Sequence, residues 1–62
     1  MKRCDVLRHL QRHNCSVLKE GGSHTIVGRN DKPNSTALPR HSEIHDYLVK
    51  KVCRDLEIPE PN

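Results

Sequence analysis

Phenylalanine and tryptophan are absent from this 62-residue chain, and Tyr47 is its one aromatic ring. Hydrophobic residues make up only 32% of it, so any core is thin and built from small aliphatic side chains and cysteine. A chain this short buries a modest share of its surface and often leans on a staple or a partner. Oligomerisation is therefore expected. The missing rings also exclude the usual grip on single strands, base stacking on aromatic platforms, so an RRM-like or OB-like module is not expected. No apolar run reaches the length of a membrane span or a signal peptide.

Cysteine is sparse as well. Cys4, Cys15 and Cys53 are odd in number and widely spaced, which argues against a secreted disulfide framework and for a reducing, cytoplasmic setting. Structural zinc sites want paired ligands at close spacing, such as C-x₂-C, and none occurs. His9 and His13, one helical turn apart, read as surface residues, and neither metal nor cofactor is expected. No P-loop, dinucleotide fingerprint, serine elbow or Cys-His-Asn arrangement can be read.

What is present is positive charge and a clear order of elements. Eleven Lys and Arg against eight Asp and Glu give a net charge of +3, spread along the chain. That suits an anionic partner without forming a basic tail. "CDVLRHLQRHN" places Val6, Leu7 and Leu10 on one face, predicting a helix over 4–13 stopped by Asn14, which tolerates the left-handed conformation. "CSVLKE" and "HTIVGR" read as strands joined by "GGS", a turn in which glycine takes positive φ freely. "STALP" is a third strand ended by Pro39. Leu48, Val49, Val52, Cys53 and Leu56 repeat at helical spacing in a last helix capped by Asp46. The order α-β-β-β-α makes a two-layer α+β domain over residues 1–58, with a three-stranded antiparallel sheet on two helices. Residues 59–62, "PEPN", read as a loose tail.

Two constellations carry chemistry. His24 follows the glycine turn, where the backbone is open to a phosphate, and imidazole exchanges protons near neutral pH. RNA brings its own nucleophile, the 2′-OH, so cleavage needs a base, a donor for the leaving oxygen and cations for the phosphate. By spacing alone, the simpler reading of His24 is an exposed strand residue after a turn. "PRH" at 39–41 offers the planar fork of Arg40 and the imidazole of His41, or simply a surface loop. Lys19, Arg29 and Lys32 near the hairpin, with Lys50, Lys51 and Arg54 on the last helix, either attract phosphates collectively or form a solvated face.

"LRHLQRHNC", "LKEGGSHTI", "LPRHSEI" and "VKKVCRDLEIP" occur in an order and spacing that resemble the HicA toxins of bacterial type II toxin–antitoxin modules, over nearly the whole chain. The resemblance implies a fold related to double-stranded-RNA-binding domains and an mRNA interferase activity that arrests translation. It implies that the histidine of Gly-Ser-His, His24, is the key residue, and that a HicB-like antitoxin is the partner. Gly22 and Ser23 are then expected to shape the approach of the phosphate, with Lys19, Arg29, Arg40 and His41 as further RNA contacts. The chain departs from the family where many members carry a second histidine or an aromatic, at Thr25 and Ile26, and where the last helix begins near Gly-Thr, here Tyr47-Leu48. The rival classes are a non-catalytic RNA-binding module and a degenerate toxin that only binds its antitoxin.

Overall fold

The structure is a computed structural model that describes residues 1–61. Asn62, the last position of the expected tail, lies outside the described residues. Helix α1 spans Arg3–Arg12, strands β1, β2 and β3 span Cys15–Glu20, His24–Arg29 and Ser35–Pro39, and helix α2 spans Asp46–Asp55. The strands form one antiparallel sheet in the order β1-β2-β3. This is the α-β-β-β-α domain that the hydrophobic periodicities predict. No described helix is long and apolar enough to cross a membrane.

The sheet has one covered face and one open face. Residues opposite each other across two strands share a face, and Thr25, Val27 and Leu38 are wholly buried against the helices. Val6 and Leu10 of α1 and Val49, Val52 and Cys53 of α2 meet them, and Ile44, Leu56 and Ile58 close the core. The opposite face carries His24 paired with Pro39, Ile26 with Ala37, and Gly28 with Ser35. The register of β1 shifts between Val17 and Lys19. This bulge leaves Leu18 unpaired, and its side chain lies over Gly28 on the open face.

Helix α1 starts one residue earlier than the periodicity indicates. The carbonyl of Lys2 accepts the amides of Asp5 and Val6, and Lys2 forms an isolated bridge with Glu43. Asn14 ends the helix at φ 63°, in the left-handed region expected of it. Helix α2 corrects the reading of Asp46 as a side-chain cap. The cap residue is His45, no side chain bonds the helix start, and the His45 carbonyl takes the amides of Leu48 and Val49. Asp46 sits instead in the first turn, where its charge meets the positive end of the helix dipole. At the far end, the amides of Ile58 and Glu57 reach back to the carbonyls of Cys53 and Arg54. That is a Schellman stop, with Glu57 at φ 57° where glycine is more usual. Beyond it, the Pro59 carbonyl lies 2.7 Å from His9 Nε2, so the start of the tail touches α1.

Candidate active site

The hairpin turn at residues 21–23 sits at the end of the open face. Its tightness has a different origin from the one expected. No glycine in the chain has positive φ. The constraint at Gly21 is steric: a Cβ there would stand 3.0 Å from the His24 carbonyl oxygen, which accepts the Gly21 amide at 2.8 Å. Gly22 faces open space, with nothing within 4 Å of a Cβ. It leaves backbone bare at the tip of the turn, beside the histidine.

His24 is exposed at the first position of β2. Its Nδ1 lies 3.0 Å from Ser23 Oγ, which leaves Nε2 directed away from that contact. The serine hydroxyl can accept from that nitrogen or donate to it, and the tautomer sets which. When Nδ1–H donates to the serine oxygen, Nε2 carries a free lone pair and can take a proton.

The remaining candidate residues divide. Lys19 is exposed and shares the open face with Ile26. Arg40 follows Pro39, the cross-strand partner of His24, and its Nη1 donates to the Gly21 carbonyl at 3.1 Å. It therefore grips the turn itself. His41 is exposed in the loop after β3 and makes no hydrogen bond among the described residues. Arg29 is not brought to this place. It pairs with Cys15 on the covered face, binds both oxygens of Asp31 at 3.0 and 3.2 Å, and donates to the carbonyls of Leu56 and Glu57. Its guanidinium clasps the end of α2, and the hydrogen bond to Asp31 holds that carboxyl below its usual range.

Behind the turn lies a group that charge counting passes over. Thr25, wholly buried, donates to Glu20 Oε1 at 2.5 Å and accepts from Arg3 Nη2 at 2.6 Å. The hydrogen bond from Thr25 draws the Glu20 carboxyl below its ordinary range, and the positive charges of Arg40 and Arg3 add to this. The available signal was the hairpin register. With Gly21 bonded to His24 across the turn, Glu20 falls opposite Thr25 and gives a buried hydroxyl a carboxylate partner.

Two of the three thiols are placed for packing. Cys15 and Cys53 are buried and Cys4 is exposed. Burial pushes the Cys15 and Cys53 thiols up, away from the reactive thiolate. Among the described residues no group of three or more His, Cys, Asp or Glu side chains gathers as a metal site would require.

Taken together, these features define a small two-layer domain whose bare sheet face ends in a serine-bonded histidine beside a glycine turn and an arginine. A family model, HicA toxin of bacterial toxin–antitoxin systems, matches residues 3–58. The chain belongs to that family, and its class is the toxin component of such a pair. Neither the curated proteins nor the solved structures compared with it gave a match.

Proposed function

We propose that the protein is an endoribonuclease that cleaves mRNA and arrests translation in the cytoplasm, needs no metal, and is restrained by a HicB-like antitoxin. The observation that carries this reading is the His24 imidazole, exposed at the turn and bonded through Nδ1 to Ser23. Membership of the toxin family supports it.

In this reaction His24 Nε2 takes the proton of a ribose 2′-OH. The 2′-oxygen attacks the adjacent phosphorus, the bond to the 5′-oxygen breaks, and that oxygen leaves with a proton from the opposite side of the site. His41 is the candidate donor. The products are a 2′,3′-cyclic phosphate and a 5′-hydroxyl. Lys19 and Arg40 supply positive charge as it develops on the phosphate, and the bare backbone at Gly22 with the Ser23 hydroxyl allows close approach. Arg29 has no part in it.

The test is RNA cleavage in EDTA by the wild type, His24→Ala and His41→Ala. General acid–base catalysis contributes roughly 100- to 10,000-fold, so His24→Ala loses about that much. A His41→Ala variant with full activity assigns the second proton to water. Binding without cleavage by the wild type establishes the non-catalytic alternative.

A further inference from the structure

We propose that Arg3, Thr25 and Glu20 form a positioning row that fixes the His24 turn from the covered side of the sheet, with Arg40 closing it at the Gly21 carbonyl. The inference rests on the catalytic role given to His24.

Thr25 follows His24 in sequence, and strand alternation sends the two side chains to opposite faces. What holds Thr25 therefore holds the backbone that presents His24. The Thr25 hydroxyl works in both directions, accepting from Arg3 Nη2 at 2.6 Å and donating to Glu20 Oε1 at 2.5 Å. Arg3 Nη2 stands 3.6 Å from the same carboxylate oxygen. Glu20 and Thr25 are the cross-strand pair nearest the turn. The row thus ties both arms of the hairpin to helix α1 just before the glycines. At the turn itself, Arg40 holds the Gly21 carbonyl at 3.1 Å, and the Gly21 amide bonds the His24 carbonyl at 2.8 Å.

Stability alone does not call for this arrangement. The Arg3 Nε is buried without a partner among the described residues, which is unfavourable. Apolar residues of similar shape commonly replace buried polar groups with no loss of stability. Position does call for it. Ser23 and His24 are exposed and have no packing of their own, and the segment before them contains two glycines. A catalytic side chain must be held to within about 0.5 Å.

The experiment compares Thr25→Val, which keeps the shape and removes both bonds, with Thr25→Ser, which keeps the hydroxyl. The expected result for Thr25→Val is a kcat lowered about 10- to 100-fold with KM little changed, as displacement of a reacting group gives. Thr25→Ser restores kcat. In the free protein, hydrogen exchange at the Gly21 amide accelerates in Thr25→Val while that at Val27 is unchanged. Unaltered kcat together with unaltered Gly21 protection overturns the proposal. Should Thr25→Val lose its fold, Glu20→Ala, at a half-exposed position, is read in the same two ways. A wild type that cleaves no RNA refutes the proposed function, and the Gly21 exchange comparison still decides whether the row fixes the turn.

Discussion

At the scale of single residues, the three glycines do three different things, and dihedral freedom is none of them. Gly28 lies beneath Leu18, and a Cβ there would stand 2.6 Å from Leu18 Cδ1 and 2.9 Å from the Asn34 carbonyl oxygen. The leucine end can move, but the carbonyl belongs to backbone. Gly28→Ala is therefore expected to destabilise the fold by about 1–3 kcal/mol, as overpacking does, read by denaturant titration. Gly22→Ala meets nothing, and its effect on stability is expected to stay within about 0.5 kcal/mol. Its effect on cleavage is the informative part. A fall in kcat/KM with stability unchanged shows that phosphate needs the bare backbone at the turn. Full activity would remove Gly22 from the site. The glycine turn with His24 after it was legible from the order of residues, and the role proposed for His24 came from the resemblance of Gly-Ser-His. The reason for Gly21, a carbonyl 3.0 Å from its missing Cβ, depends on register and was not.

At the scale of elements, strand parity decides which charges share the open face with His24. Positions 24 and 29 of one regular strand differ by an odd number, so His24 and Arg29 fall on opposite faces. The sequence held that signal, but reading Arg29 by its charge alone obscured it. In β1 the parity itself breaks, because the bulge at Leu18 turns Leu18 and Lys19 to the same open face, and no residue type announces the bulge. Arg29 clasps the last turn of α2 through the Leu56 and Glu57 carbonyls. Arg29→Ala is expected to lower the melting temperature more than Lys51→Ala, which removes only an exposed pair with Asp55. It should leave kcat unchanged well below the transition. The acids at these junctions set the response to pH. Asp31, held down first by Arg29, and Asp55, held down first by Lys51 and then by Thr36, have folded-state pKa values below their ordinary ones. Their contribution is present above the unfolded value of about 4 and is lost as pH falls through the folded values. Thermal stability should therefore be level from neutral pH to about 5 and decline in acid. Asp55→Asn should make that decline shallower.

At the scale of the whole molecule, the order and layering of the fold were legible because each element carries its own period and its own stop. The covered face depends on few side chains. Leu38, on β3, has no exposed surface, and Leu38→Ala is expected to cost about 2–5 kcal/mol. For a domain whose whole stability is of order 5–15 kcal/mol or less, that is enough to leave much of the variant unfolded at 37 °C, as circular dichroism would show. A bound antitoxin raises stability by mass action, by about 2.7 kcal/mol at a concentration of 100 Kd. The complex should therefore melt later than the free toxin. The central claim, that His24 moves the proton in RNA cleavage, is tested most directly by incubating purified wild type and His24→Ala with mRNA in EDTA and identifying the new ends. The account predicts 2′,3′-cyclic phosphate and 5′-hydroxyl ends from the wild type and a rate at least about 100-fold lower from the variant. Equal cleavage by the two proteins, or intact RNA with the wild type, would contradict it.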